Sequence, residues 1–159
     1  MKRFITLLLV SVLLISAAAA QSTIFIVRHA EKAAGGGDDP DLSEAGRARA
    51  EALATVLKDA GISAIYTTEL KRTQQTAAPL AKTLHLDPAI IVAKDRAALS
   101  AKLRGSSGNV LVVGHSNTIP DVIKALGITT TVSIADNDYD NLFVVILDEK
   151  PRLLRLHYR

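Results

Sequence analysis

The stretch that decides the fold is residues 23–32, TIFIVRHAEK. Its four consecutive apolar residues, 24–27, predict a strand that is buried on both faces of a sheet. Ionisable side chains follow at once, beginning with Arg28 and His29. In an open α/β sheet, ligands bind beyond the carboxyl ends of the strands. We therefore expect a guanidinium beside an imidazole at that edge, which is a pocket suited to an anion.

The rest of the chain predicts a layered α/β fold. Strands are predicted at 24–27, 62–67, 89–93, 109–113, 142–147 and 152–157, and helices at about 43–60, 70–84, 96–103 and from 118 to 126. Pro79, inside the second helix, predicts a kink or a break there. The alternating order implies a three-layer α/β/α sandwich, with a mostly parallel sheet and a C-terminal antiparallel hairpin.

The first twenty residues are typical of a secretory signal peptide. Lys2 and Arg3 precede an apolar stretch, and three alanines, 18–20, precede Gln21. An uncleaved membrane anchor is the alternative, but an apolar stretch of about 16 residues is shorter than the roughly 20 needed to cross a bilayer. We expect cleavage after residue 20, a single domain at 21–159, a periplasmic or secreted location and no stable membrane anchor.

The amino-acid composition argues against several other classes of protein. The 159 residues include no cysteine, which rules out disulfides and thiolate metal sites. The 19 Lys and Arg fall to 17 without Lys2 and Arg3, against 16 Asp and Glu. A charge so close to balance, with no run of basic residues and few aromatics, does not favour nucleic-acid binding. The composition leaves the oligomeric state open.

Two predicted strands end in a histidine, His29 and His115, and a third strand-to-helix junction carries Arg72. The predicted topology brings these strand ends to one edge of the sheet. Guanidinium groups bind phosphate oxygens through paired, charge-assisted hydrogen bonds. Helix N-termini after Thr68 and Ser116 would add backbone N–H donors. The convergence of these groups favours a phosphate site, and the partner we expect is a small phosphorylated substrate.

Four motifs, in order along the chain, carry a family resemblance. They are RHAEK at 28–32, LSEAG at 42–46, TTELKRTQQTA at 67–77 and GHSN at 114–117. Together they resemble the Arg-His signature, the first helix start, the second arginine stretch and the second histidine of the histidine phosphatase superfamily, whose fold is phosphoglycerate mutase-like. The variant at 28–32 resembles small secreted members.

The resemblance implies a metal-independent phosphomonoesterase of the histidine acid phosphatase type, without a cofactor. His29 would be the nucleophile that becomes a phosphohistidine, while Arg28, Arg72 and His115 would hold the phosphoryl oxygens. Asn117 is predicted either to donate a hydrogen bond in the pocket or to cap a helix.

The general acid is the part least defined by sequence. Asp95 follows the third predicted strand, where many superfamily members carry an acidic residue, but it also suits the N-cap of the next helix. Three other carboxylates on flexible segments compete for the role: Asp38, Asp41 and Asp140.

Other functions are open to the same sequence. One of them, a secreted α/β domain with no phosphate site, requires that the three strand ends do not converge. A metal hydrolase would use His29, Glu31 and His115, but zinc deaminases with a His-x-Glu motif also need a cysteine pair. A serine hydrolase would need a Gly-x-Ser-x-Gly elbow, which the sequence lacks. The remaining alternative is a secreted phosphate- or phosphoester-binding module on the same fold, without turnover.

Overall fold

A computed structural model describes residues 22–159, so the predicted signal peptide at 1–20 lies outside the described residues. Six strands and four helices alternate within that range. The strands are β1 (Ser22–Arg28), β2 (Ile62–Thr67), β3 (Ala89–Ile90), β4 (Asn109–Gly114), β5 (Asn141–Leu147) and β6 (Arg152–His157). The helices are α1 (Glu44–Leu57), α2 (Lys71–Leu84), α3 (Arg96–Arg104) and α4 (Ile119–Ala125). Among residues 22–159, no helix has the length and apolar character needed to span a membrane.

The strands form one sheet in the order β3-β2-β4-β1-β5-β6. The first four strands of the chain run parallel, whereas β5 is antiparallel to β1 and forms a hairpin with β6. The predicted mostly parallel sheet with a C-terminal hairpin is therefore confirmed. In the central pair, Arg28 at the end of β1 lies opposite Gly114 at the end of β4. The residues that follow these two strands are consequently neighbours at one edge.

Each face of the sheet is covered by a pair of helices. On one face, β1 contributes Val27 to a core that includes Leu53 of α1 and Leu80 of α2. On the other face, Ile26 packs with Leu103 of α3 and residues of α4. Because successive side chains of a strand point to opposite faces, the apolar run at 24–27 serves both cores. This arrangement confirms the predicted three layers.

Two details differ from the sequence prediction. The third strand is shorter than 89–93, because the chain turns after Ile90, with the N–H of Asp95 bonded to the carbonyl of Val92 at 2.8 Å. Of the kink or break predicted at Pro79, the break is wrong, since α2 continues through it as one helix, and the kink stays a prediction. Its neighbours Ala77 and Leu80 are fully buried against the core, and this packing offsets the hydrogen bond that a proline cannot make.

Candidate active site

Two histidines lie side by side where β1 and β4 end. His29 and His115 have ring centroids 5.4 Å apart in an edge-to-face arrangement. Only 5% of His29 and 7% of His115 is exposed. The backbone N–H of His29 donates to the carbonyl of Gly114 at 2.9 Å, which joins the two strand ends directly. The predicted convergence of the two strand-end histidines is therefore what the structure shows.

The imidazole of His29 is oriented by main chain. Its Nδ1 lies 2.9 Å from the carbonyl oxygen of Ala30. A carbonyl oxygen can only accept, so Nδ1 carries the proton and the lone pair of the neutral ring lies on Nε2. Burial lowers the pKa of His29 to about 4, against the opposing effect of the Ala30 hydrogen bond. The charges of Arg72 and Arg28, and that of His115 when it is protonated, lower it further. At neutral pH His29 thus presents an unprotonated Nε2.

The imidazole of His115 is held by a hydroxyl instead. Its Nε2 lies 3.0 Å from Oγ1 of Thr68, which is 2.9 Å from Oγ1 of Thr73. Burial lowers the pKa of His115 to about 4, with Arg72 and Arg28 adding to the effect and Glu69 opposing it. Because a hydroxyl both donates and accepts, this partner fits either tautomer of His115.

Arg28 is engaged on one side of its guanidinium. Nη1 donates to the carbonyls of Ala135 and Asp136, each at 2.9 Å. The guanidinium carbon lies 4.1 Å from the ring centroid of Tyr139, a cation–π geometry. Nε is buried and has no partner within residues 22–159. Arg28 thus anchors the irregular 128–140 segment to the site and keeps one donor uncommitted.

Arg72 is the second residue of α2, where the sequence places it. Its side chain is 15% exposed, and Nη1 lies 3.8 Å from the carboxylate of Asp39. Its Nε, like that of Arg28, is buried without a partner in the described part of the chain. Buried polar donors in native proteins are nearly always hydrogen-bonded. Two buried guanidinium donors beside two neutral imidazoles therefore form a site that suits a bound oxyanion.

The backbone that follows His29 is held from several sides. Oγ1 of Thr76 accepts from the N–H of Ala30 at 2.9 Å. The next residue, Glu31, receives a bidentate pair of hydrogen bonds from Arg49, including one of 2.6 Å. A Cβ at Gly46 would overlap the carbonyl oxygen of Glu31, so α1 packs against this backbone only because residue 46 is glycine. These contacts fix the carbonyl that orients His29.

The same contacts bear on the rival metal site. The carboxylate of Glu31 is bound by Arg49, which leaves it unavailable as a third ligand beside His29 and His115. Within residues 22–159, no group of three or more His, Cys, Asp or Glu side chains is arranged to hold a metal ion.

Within residues 22–159, the remaining predicted site residues make no hydrogen bond to either imidazole. Asn117 is exposed in the turn before α4. Asp95 caps α3, its Oδ1 accepting from the N–H of Ala98 at 3.0 Å. It also lines a small cavity that Thr68 and Gly114 share, beside His115. The N-cap role that the sequence allowed for Asp95 is therefore present, and its catalytic role stays a prediction.

The competing carboxylates have other partners or none near the imidazoles. Asp41 accepts from Gln75 at 2.8 Å, and Asp140 lies 2.9 Å from Nδ1 of His157. Asp38 is exposed. In the described part of the chain, none of these carboxylates is hydrogen-bonded to His29 or His115.

Sequence reasoning missed Tyr139 and Asp39. The ring centroid of Tyr139 lies 6.2 Å from that of His29, so this tyrosine forms a wall of the site. A lone aromatic residue in the polar 128–140 segment was the available signal. Asp39 reaches Arg72 from a glycine-rich loop, and its sequence neighbours gave no sign of that contact. Glu69 was also missed, although it lies within the quoted 67–77 motif and its charge acts on His115.

Comparison with known structures shows shared architecture. A protein histidine phosphatase SixA complexed with tungstate has a TM-score of 0.68 at 20% identity over 85% of this chain and 96% of that one. A mycobacterial glucosyl-3-phosphoglycerate phosphatase complexed with VO3 has 0.67 at 16%, over 86% and 99%. A SixA-type phosphohistidine phosphatase from Agrobacterium tumefaciens has 0.63 at 22%, over 84% and 97%. At these identities the likeness concerns the fold.

Comparison of the sequence with protein families is more specific. No curated protein matches the chain significantly. Residues 24–96 match the model described as histidine phosphatase superfamily (branch 1). The matched region contains Arg28, His29 and Arg72, three of the four side chains that converge in the site. Residues 24–96, just under half of the 159-residue chain, are therefore similar to the histidine phosphatase superfamily (branch 1).

Proposed function

We propose that the chain is a phosphatase that hydrolyses a small phosphorylated substrate through a phosphohistidine on His29. The observation that carries the proposal is the hydrogen bond from Nδ1 of His29 to the carbonyl of Ala30. It leaves the lone pair on Nε2 of a ring on which the charges of Arg28 and Arg72 act, and each arginine has a buried Nε without a partner in residues 22–159. A candidate nucleophile and candidate oxyanion donors thus lie close together, as phosphoryl transfer requires.

The reaction follows in two balanced steps. Nε2 of His29 forms a bond to phosphorus while the bond from phosphorus to the leaving oxygen breaks, and that oxygen takes a proton. Water then attacks phosphorus and gives a proton to the group that protonated the leaving oxygen, the P–N bond breaks, and inorganic phosphate leaves with Nε2 restored. Arg28, Arg72 and His115 stabilise the charge on the phosphoryl oxygens in both steps. A bound dianion would also raise the pKa of His115 and so favour its protonated form, in which both ring nitrogens donate hydrogen bonds.

The proton for the leaving oxygen is assigned to Asp95, on the strength of its place beside the cavity that adjoins His115. Asp95→Asn keeps a good N-cap for α3 but removes the acid. We expect the variant to lose much more activity on an alkyl phosphate than on a nitrophenyl phosphate, whose leaving group needs little protonation. An equal loss on both substrates would contradict the assignment.

A binding module without turnover is the second candidate. It is favoured by one observation, which is that the carboxylate of Asp95 is engaged as the cap of α3. This candidate predicts that the chain binds phosphate but releases none from any ester.

The decisive experiment measures phosphate release from an aryl phosphate by the wild type and by His29→Ala, with and without a chelator. The proposal expects turnover by the wild type in both conditions and none by the variant. Phosphate binding without release would favour the binding module. Equal release by the wild type and the variant would overturn the role of His29.

The periplasmic or secreted location belongs to the proposal as well. Its support is the sequence of residues 1–20, which lies outside the described residues. N-terminal sequencing of the protein recovered from a bacterial periplasmic fraction tests it, and a first residue of Gln21 is the expected result. Recovery of the intact chain in the membrane fraction would contradict it.

A further inference from the structure

A loop of unusual composition lies next to the site. Residues 33–41, here called the glycine loop, include Gly35, Gly36 and Gly37, whose φ angles of 80°, 86° and 69° are left-handed. The segments that enter and leave the loop are joined by a hydrogen bond of 2.9 Å, which the backbone N–H of Ala33 donates to the carbonyl of Asp41. The loop therefore has a fixed base and a glycine-rich span that leads to its acidic end.

The base of the loop is anchored to α2 independently of its span. The side chain of Gln75 accepts from the N–H of Leu42 and donates to Asp41, each at 2.8 Å. A Cβ at Gly35 or Gly37 would meet no atom within 4 Å, and one at Gly36 would meet only Pro40 of the same loop, so the glycines are not packed against the rest of the domain. Movement of residues 35–38 would cost few contacts, while the buried Pro40 and the base stay in place.

Asp39 occupies a position that favours an anion. Its Oδ1 and Oδ2 accept from the backbone N–H of Lys71 at 3.0 and 3.3 Å, at the N-terminus of α2. Oδ1 also lies 3.8 Å from Nη1 of Arg72. A helix N-terminus and a guanidinium together stabilise negative charge. The carboxylate thus uses the same arginine that the phosphoryl group is expected to use.

We propose that Asp39 is an internal competitor of the phosphate for Arg72 and thereby sets the affinity of the site for phosphate. The inference rests on the proposed function, in that it takes the phosphate to bind at Arg72. When phosphate binds, the Asp39 carboxylate either remains nearby, where two like charges repel, or withdraws with the glycine loop. Both events weaken phosphate binding, and both hasten the release of product phosphate.

Asp39→Asn tests the inference with little disturbance of the fold, because the asparagine oxygen still accepts from the N–H of Lys71. Asp38→Asn is the matched control, since it removes the adjacent, exposed charge of the same loop. Affinity for inorganic phosphate is measured by calorimetry on the full chain and, separately, as product inhibition of turnover. We expect Asp39→Asn to bind phosphate about tenfold tighter, which corresponds to roughly 1.4 kcal/mol. Asp38→Asn should change the affinity less than twofold, because an exposed charge is screened by salt.

The outcomes separate this inference from the proposed function. Tighter phosphate binding by Asp39→Asn in a chain that never hydrolyses an ester would support the competitor and contradict the phosphatase. Turnover by both proteins with unchanged or weaker phosphate binding in Asp39→Asn would overturn the competitor and leave the phosphatase standing. Equal tightening by Asp38→Asn would also overturn it, because the effect would then belong to the charge of the loop as a whole. Absence of phosphate binding in both proteins would overturn both.

Discussion

The two histidines of the site occupy similar positions, but their rings are held by different kinds of hydrogen-bond partner. Both follow the carboxyl ends of neighbouring parallel strands, and burial lowers the pKa of each to about 4. His29 is held through Nδ1 by a carbonyl, whereas His115 is held through Nε2 by the hydroxyl of Thr68. A carbonyl fixes one tautomer, and a hydroxyl fixes none. Similar residues in similar places thus acquire different chemistry from the one atom each ring contacts.

The two groups that orient the rings, a carbonyl and a hydroxyl, are themselves held in place by different contacts. The carbonyl that orients His29 belongs to a backbone held by Thr76 on one side and packed against Gly46 on the other. The hydroxyl that orients His115 belongs to one side chain, which depends in turn on Thr73. We therefore expect His29 to be sensitive to backbone packing and His115 to the loss of a single oxygen.

The largest effect should separate the two rings directly. His29→Ala removes the nucleophile and should lower kcat by about 10⁴-fold or more, as for other covalent catalysts. His115→Ala removes only stabilisation of the transferring group, and a loss of about 10²- to 10³-fold is expected. Single-turnover rates on an aryl phosphate provide the comparison, and circular dichroism shows whether both variants fold. Losses of the same size would mean that the two rings are not chemically distinct.

The pH dependence tests whether both rings are neutral. Their pKa values of about 4 lie below the usual 6.5, so neither ring gains a proton between pH 7 and pH 5. The ring of His29 limits kcat/KM only near pH 4, and below that value we expect a tenfold fall for each unit. A fall already centred near pH 6.5 would contradict the depressed pKa values.

The free energy of unfolding should depend on pH through the same two rings. The unfolded chain, with histidine pKa values near 6.5, binds more protons than the folded chain between pH 6.5 and pH 4. The stabilisation from the neutral rings is therefore complete above pH 6.5 and decreases as the pH falls toward 4. Urea unfolding at several pH values measures the decrease, which should be smaller in His115→Ala.

Backbone support of His29 is tested at Gly46. Gly46→Ala places a methyl group against the carbonyl oxygen of Glu31, and the overlap should cost about 1–3 kcal/mol of unfolding free energy. Gly105→Ala is the matched control, because the nearest atom to its Cβ, the carbonyl oxygen of Ala101, is 3.5 Å away. That change should stay within about 0.5 kcal/mol. Equal stability of Gly46→Ala and the wild type would contradict this expectation. It would show that the backbone near Glu31 can move, and that the carbonyl that orients His29 is not held rigidly.

The position of the two histidines in the fold could be predicted from the sequence, because it depends on the pattern of apolar and polar residues. An apolar run that ends abruptly in Arg28 and His29, and a second that ends before His115, predict strand ends on which a site is built. The parallel topology then follows from the alternation of strands and helices. The LSEAG motif at 42–46 indicates the start of the first helix, and there the hydroxyl of Ser43 accepts from the N–H of Gly46.

The part that sequence could not predict depends on contacts between distant segments. Which ring nitrogen finds a partner is decided by atoms that the fold brings within 3 Å, as Thr68 is brought to His115 across 47 positions. Arg28 meets the 128–140 segment, which has no periodicity from which its path can be deduced. Asp95 has a spacing that suits a cap and a general acid equally. Sequence therefore located the site but left its internal contacts undetermined.

The smallest expected effect is the most specific to the comparison. Thr68→Val removes the hydroxyl that holds His115 but keeps the shape of the side chain, and we expect about a tenfold loss of kcat/KM. In the His115→Ala background the same change should cost nothing further, because its partner is already gone. Thr76→Val, which removes the support of Ala30 beside His29, should instead add its full loss to that of His115→Ala. A double-mutant cycle in kcat/KM measures both couplings, and additive losses for Thr68 and His115 would show that the hydroxyl does not act through the ring.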